Sequence, residues 1–153
     1  MLIKLFSKWI LFILHKMRLR QIFLIRLCVA LDSIMEQDEA LSSDMEYIAI
    51  DMSNFEDADE SDTEEILSYF KEKYKVKIMD ATLEQLKEKG YSDTMRLDGV
   101  LLRIEKVDFK SNNEIFFEGS MYRSGLGVVG VEVKVHYKDN KWESKEVKMT
   151  WIS

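Results

Sequence analysis

From residue 97 to the C-terminus, apolar and polar side chains alternate with a period of two, which is typical of half-buried β-strands. The alternation predicts four strands, at about residues 97–109, 114–123, 127–138 and 141–152. Ser, Asn, Asp and Gly occupy the short links between the strands, and these residues favour turns. Because parallel strands need a long crossover, links this short predict an antiparallel meander.

The third of these strands begins within a G-x-G-x-x-G motif formed by Gly125, Gly127 and Gly130. In dinucleotide-binding proteins a helix begins at such a motif, so that the helix N-terminus faces the pyrophosphate. Here the segment after Gly130 alternates valine with polar residues, which predicts a strand and therefore no nucleotide site. Gly130 instead indicates a bulge or a close aromatic neighbour.

Two amphipathic helices are predicted ahead of the sheet. In SDTEEILSYFKEKY, apolar side chains recur at helical spacing, and Ser61 with Glu64 forms a capping box. In DATLEQLKEKG, Asp80 or Thr82 is the candidate N-cap and Gly90 is the stop. The apolar segments YIAIDM and VKIM are candidates for short strands, although the first could equally end a helix.

Residues 1–31 are apolar and carry six bases and no acid. On a helical wheel most of the bases fall in one narrow arc, and the remaining surface is largely apolar. This pattern predicts a helix in or across a membrane, with basic side chains that reach the lipid headgroups. The alternatives are a cleaved signal-like segment, a mis-assigned start of translation, or an apolar helix packed on the domain. The arc contains Lys4, Lys8, His15, Arg18 and Arg26.

Residues 32–70 carry fourteen acids and no base. We therefore divide the chain into a membrane anchor or signal-like helix at residues 1–31, an acidic linker at 32–60 and an α+β domain at 61–153. If the first segment anchors the chain, its bases keep the N-terminus in the cytoplasm and place the domain outside the membrane. A mis-assigned start would instead leave the protein in the cytoplasm.

Charge and residue usage argue against several functions. No basic stripe extends past residue 31, so nucleic acid is not an expected partner. The single cysteine, Cys28, excludes an internal disulfide and a multi-cysteine metal site. Neither His15 nor His136 has the companions of a zinc site or of a catalytic nucleophile. We therefore expect no metal, no cofactor and no catalytic residue.

A pair of carboxylates is the one catalytic arrangement that the pattern leaves open. Four glutamates lie on the predicted strands, where they could meet across the sheet. Pairing with bases on the strands is the expected arrangement, which predicts a protein that is not an enzyme. The acids are Glu105, Glu118, Glu132 and Glu146, and the bases are Arg103, Lys134 and Lys148.

Several segments are similar to small uncharacterised proteins of Gram-positive bacteria that are exported or membrane-anchored: YIAIDMSNF, EILSYFKEKYKVKIMDATLEQLKEKG, GVLLRIEKV, MYRSGLGVVGVEV and MTWIS. Some of those proteins carry a label that connects them to peptide transporters. Over residues 61–153, the order of helices followed by four strands resembles the cystatin-like, or nuclear-transport-factor-two-like, architecture. The expected fold is therefore α+β: an N-terminal apolar and basic helix, then two short helices packed on a four-stranded antiparallel meander.

The resemblance implies a sheet that curls around the helices and leaves a cone-like pocket. Tyr122 and Arg123 would then orient an anionic or polar ligand at the rim, the alternative being ordinary packing and one surface arginine. The function implied is a non-catalytic, membrane-tethered, extracytoplasmic binding or interaction module. The alternatives are a pocket-bearing enzyme that uses a buried carboxylate, an accessory protein of a peptide transporter, or a spacer between membrane and wall. The predicted pocket residues are Phe117, Met121, Tyr122, Arg123 and Trp151.

Overall fold

A computed structural model describes residues 2–93 and 96–153 as four helices and seven strands. In chain order the elements are α1 (Leu2–Met35), α2 (Glu39–Ser42), β1 (Tyr47–Asp51), α3 (Glu60–Tyr74), β2 (Lys77–Asp80), α4 (Leu83–Glu88), β3 (Ser92–Asp93), β4 (Arg96–Ser111), β5 (Glu114–Ser124), β6 (Gly127–Lys138) and β7 (Lys141–Ile152). The strands form one sheet in the order β2-β1-β4-β5-β6-β7, and β3 pairs with the start of β4.

The sheet is mixed, so the prediction of a four-stranded antiparallel meander is wrong. Strands β4 to β7 do form an antiparallel meander, close to the predicted limits. Beyond them, β1 runs parallel to both β2 and β4, and Ile48 lies opposite both Ile78 and Val100. The cystatin-like arrangement expected from the element order is therefore not the one found.

Strand β1 occupies the interior of the sheet because it is apolar on both faces. Ile48 and Ile50 point into the main core, whereas Tyr47 and Ala49 point into a second cluster on the opposite face. Parallel strands need both faces covered, and helix α3 supplies the long crossover from β1 to β2. Strict alternation of polar residues is absent from such a strand, which is why periodicity alone did not place it.

The two cores lie on opposite faces of the sheet. In the main core, the C-terminal part of α1 packs on β5 and β6, which contribute Ile115, Phe117 and the buried valines, and α3 packs beside α1 and on β2. The second core lies beside α4, where Leu86 packs with Leu97 and Leu101 of β4. Helix α1 is therefore a structural element of the domain over its last dozen residues.

The helix caps agree only in part with expectation. Helix α3 begins one residue before the predicted cap, because Asp59 and Asp62, rather than Ser61 and Glu64, form the capping box. Helix α4 begins at the predicted cap Thr82, and Gly90 adopts a φ of 77° after it. A residue with a Cβ is strained in that conformation, which is why glycine serves as the stop.

The glycine motif lies in the β5–β6 hairpin, and the chain after Gly130 is strand, as predicted. The indole of Trp151 lies directly over Gly130, so that any Cβ there would collide with the ring. The register also shifts between Gly130 and Val131. Both features predicted for this glycine, a bulge and an aromatic neighbour, are confirmed. At the next hairpin, Asp139 and Asn140 have the positive φ that a two-residue turn requires.

Candidate functional site

The N-terminal half of α1 is covered with exposed apolar side chains. We call residues 4–19 the projecting helix; at about 1.5 Å per residue it is about 24 Å long. Soluble domains rarely expose a contiguous apolar patch of this extent unless another surface covers it. The large apolar residues of the projecting helix that are 40–65% exposed are Leu5, Phe6, Trp9, Ile10, Leu11, Phe12, Leu14, Met17 and Leu19.

Basic side chains are interleaved with these apolar groups. The projecting helix carries Lys4, Lys8, Lys16 and Arg18 and no acid. Across residues 2–93 and 96–153, none of these four bases takes part in an ion pair. The segment therefore combines an unpaired positive charge with an uncovered apolar surface. In the part of the chain that the structure describes, no helix has the length and apolarity of a membrane span.

Polar contacts join α1 to the domain directly after the projecting helix. The guanidinium of Arg20 pairs with Asp62 at 2.8 Å and with Asp59 at 3.2 Å, at the N-terminus of α3. The amide of the next residue, Gln21, donates to Glu65 at 2.6 Å, about one turn further along α3. The basic segment and the acidic segment of the chain therefore meet directly, and their opposite charges fix α1 against α3.

A second contact between the same two helices surrounds a buried carboxylate. Asp32 accepts hydrogen bonds from the hydroxyls of Tyr69 and Tyr74, the latter at 2.8 Å, and pairs with Lys73 at 3.0 Å. Burial, followed by the hydrogen bonds to Asp32, raises the pKa of both tyrosines. Because a buried carboxylate needs several donors, this cluster satisfies Asp32 and orients α1 on α3.

A cleft of about 690 Å³ opens where β1 ends, between α1, the loop after β1 and β4. Ligands of sheets with parallel strands often bind at the carboxyl ends of those strands. The ring of Phe23 forms part of the cleft wall, 6.1 Å from Phe55 and 6.2 Å from Phe109 between centroids. Arg20 and Asp62 at the rim are already paired. The cleft can therefore take an apolar group.

The five residues predicted to line a cone-like pocket do not come together. Phe117 and Met121 are fully buried in the main core, packed under α1. Tyr122 points to the opposite face of β5 and packs against the second core. Trp151 is 49% exposed and covers Gly130 on that opposite face. Helix α1 packs on the face of the sheet that carries Phe117 and Met121, where the pocket was expected.

Arg123 is buried and serves the backbone. Its guanidinium donates to the carbonyl of Leu41 at 2.7 Å and to the carbonyl of Ser43. Leu41 belongs to the last turn of α2 and Ser43 is its C-cap, so both carbonyls lie at a helix C-terminus, where the helix itself supplies no further N–H donor. A buried carbonyl without a donor costs free energy, and Arg123 supplies two donors. Its hydrogen bonds therefore hold the segment that leads into the central strand.

The charged groups on the outer face of the sheet pair largely as expected. Lys134 contacts Glu146 across β6 and β7 at 3.1 Å, which confirms that predicted pair. Arg103 contacts Glu105 along β4 at 3.4 Å and Asp51 across β1 and β4 at 3.7 Å. His136, predicted to be solvated, lies 3.3 Å from Glu143 through its Nε2 atom. Within the described ranges, no three metal-ligating side chains cluster closely enough to hold an ion.

Cys28 lies on the side of α1 that faces α3. Burial raises the pKa of its thiol to about 12, and the nearby charges of Asp32 and Glu65 act in the same direction. Because the thiolate is the reactive form, this environment makes the folded thiol inert at neutral pH.

We expect Cys28 to react slowly with an aromatic disulfide reagent while the protein is folded, and rapidly once it is unfolded.

The raised pKa of the Cys28 thiol also makes stability depend on pH. The free energy of unfolding is unaffected by this thiol below about pH 9, and it falls as pH rises towards about 12. Urea titrations across that range measure the fall, and a Cys28→Ala variant should show less of it. Equal pH dependence in both proteins would refute the assignment.

Comparisons of the chain with protein-family models, with curated proteins and with solved structures find no match. The resemblance to exported or anchored proteins of Gram-positive bacteria stays a prediction. Function is therefore inferred from the geometry and charge of this chain alone.

Proposed function

We propose that the protein is a non-catalytic binding module that attaches to anionic membranes through its projecting helix. One observation carries the proposal: nine large apolar side chains of residues 4–19 are exposed on a helix that also carries four bases and no acid. Apolar side chains gain free energy on entering the acyl region, and bases gain on approaching anionic headgroups. A bilayer with negative surface charge satisfies both at once.

The packing of the rest of the chain supports a binding role. The face of the sheet that carries Phe117 and Met121 is covered by α1, and both side chains are fully buried. The exposed apolar patch lies outside the core, as in proteins that work by attachment. Since Arg20 and Asp32 fix α1 to α3, the domain would be held at a defined angle to the bilayer.

Binding to lipid vesicles tests the proposal. The full-length chain should float with vesicles that contain phosphatidylglycerol, and a Phe6→Glu/Trp9→Glu variant should bind at least about a hundredfold more weakly. Each aromatic side chain contributes about 1.5–3 kcal/mol when buried, and about 1.4 kcal/mol corresponds to a factor of ten. Both aromatic rings are more than 60% exposed, so the substitutions leave the core untouched.

A matched control places the same charges on exposed apolar positions of the sheet. Leu126 and Ile152 are 86% and 68% exposed. A Leu126→Glu/Ile152→Glu variant should therefore bind vesicles almost as well as the unaltered chain. If the two double variants lose affinity equally, attachment does not run through the projecting helix and the proposal fails.

The side of the membrane on which the domain lies stays a prediction. The bases at the N-terminus favour a cytoplasmic N-terminus and a domain that faces outward. Digestion of intact cells with a protease measures this directly: an outward-facing domain is cleaved before the cells are broken, and a cytoplasmic one is cleaved only afterwards.

A further inference from the structure

A second positively charged feature lies at the base of the projecting helix. An open groove of about 1390 Å³ separates residues 18–26 of α1 from the β4–β5 and β6–β7 hairpin turns. Arg18, Arg26 and Lys141 lie along this basic groove, together with the amides of Asn112 and Asn140. No carboxylate is among the described residues that line it. The basic groove is therefore lined by cations and amides, and two of its bases, Arg20 and Lys141, pair with carboxylates outside the lining.

Arg26 is the best-defined group in the basic groove. Its guanidinium carbon lies 4.1 Å from the ring centre of Trp142. The centroid of the Tyr137 ring lies 5.2 Å from the centroid of the Trp142 ring. The Nε atom of Arg26 is buried without a hydrogen-bond partner. The side chain makes no ion pair within residues 2–93 and 96–153. A guanidinium held in place by stacking, with an unsatisfied donor, is prepared for an anionic partner.

Some of the other bases that line the basic groove form ion pairs with carboxylates, and one does not. Arg18 lies two helical turns before Arg26, about 12 Å along the axis, and makes no ion pair with any described residue. Arg20 points to carboxylates at the start of α3, and Lys141 lies 3.6 Å from Glu143. Arg18 and Arg26 therefore remain available to a ligand.

The position of the basic groove relates it to the membrane surface. Arg18 and Arg26 belong to the same helical arc as Lys4, Lys8 and His15 of the projecting helix. With the projecting helix in contact with lipid, the basic groove would open at the depth of the headgroups. The Arg26 guanidinium is partly desolvated, and this burial lowers its pKa. A charge-assisted hydrogen bond is stronger in such an environment than in water.

We propose that the basic groove binds the phosphate of an anionic phospholipid headgroup, with Arg26 and Arg18 donating to the phosphate oxygens. The guanidinium fork matches phosphate geometry, and the groove amides can serve the remaining ester oxygens. This inference rests on the proposed membrane attachment and adds recognition of the headgroup to it.

The test compares two variants that lose the same charge from the same arc. In the full-length chain, Lys4→Gln/Lys8→Gln should weaken binding to phosphatidylglycerol vesicles only by the loss of two surface charges, whereas Arg18→Gln/Arg26→Gln should weaken it by about a further tenfold or more. Equal losses would show general charge attraction and overturn the proposal. Thermal unfolding checks the fold, and the single exposed-site variant Arg18→Gln should still lose part of the affinity.

A second arm distinguishes the lipid from a free phosphate compound. Trp142 fluorescence is followed in a Trp9→Phe/Trp151→Phe background during titration with glycerol phosphate and with vesicles. A change with vesicles alone, lost in Arg26→Gln, supports a headgroup site. Saturation by glycerol phosphate without any vesicle binding assigns the groove to a soluble phosphate and overturns the lipid assignment. If Trp142 fluorescence changes in neither titration, the proposed phosphate site is wrong. The separate proposal that the chain binds vesicles through Phe6 and Trp9 would not be affected by that result.

Discussion

A chain that begins at Asp32 is expected to remain unfolded, although the sequence pattern places a boundary between anchor and remainder at that point. The deletion removes four side chains that are no more than 6% exposed: Leu24, Leu27, Ala30 and Leu31. Truncating one buried leucine to alanine costs about 2–5 kcal/mol. Three leucines together therefore match or exceed the total stability of a small domain, about 5–15 kcal/mol.

The informative comparison is a chain that lacks only residues 2–15. It loses seven of the nine exposed apolar side chains but keeps Arg20 and the buried part of α1, so its free energy of unfolding should change by under about 1 kcal/mol. Circular dichroism and urea titration measure both chains. If the chain from Asp32 unfolds cooperatively with normal stability, the boundary at residue 31 is correct and α1 is dispensable.

Replacing Phe117 by alanine should lower the free energy of unfolding by about 3–5 kcal/mol. The side chain is fully buried on β5, with Val107 and Val133 opposite it on the two neighbouring strands. A residue that lined a ligand pocket would show a different result, namely weaker ligand binding with little loss of stability. Urea unfolding followed by circular dichroism measures the difference.

The neighbouring residue provides a control of the same chemistry. Phe116 points to the opposite face of β5, is partly exposed, and contacts Lys110, whose Nζ lies 6.0 Å from the ring centre. Phe116→Ala should cost about 1 kcal/mol. If the two variants lose a similar free energy of unfolding, the two faces of β5 are equally packed. That result would contradict the difference in burial between Phe117 and Phe116.

The strands of the meander were predictable because their information is local. One buried face forces apolar side chains to every second position, and turn residues such as Asp139 and Asn140 mark the ends. The same alternation already separates Tyr122 from Arg123, since adjacent residues of a strand point to opposite faces. That signal was present when both were assigned to one pocket rim, and the structure places them on opposite faces of β5.

The basic groove could be predicted only in part. The arc that contains Arg18 and Arg26 follows from helical periodicity. The approach of Trp142 does not, because it depends on how β7 lies relative to α1, which is more than one hundred positions earlier in the chain. Likewise, nothing near Asp32 in the sequence identifies Tyr69 and Tyr74 as its hydrogen-bond donors, since those residues lie on another helix more than thirty positions away.

By itself, the sequence determined the four meander strands, their turns, the helix that stops just before Gly90 and the one-sided charge of the first thirty-one residues. These features depend on neighbours within a few positions. Only the tertiary structure decided that β1 enters the sheet between β2 and β4, and that the last part of α1 belongs to the core. Apolar side chains gain similar free energy from lipid, from a helix or from a sheet, so a local pattern states that they are buried without stating what covers them.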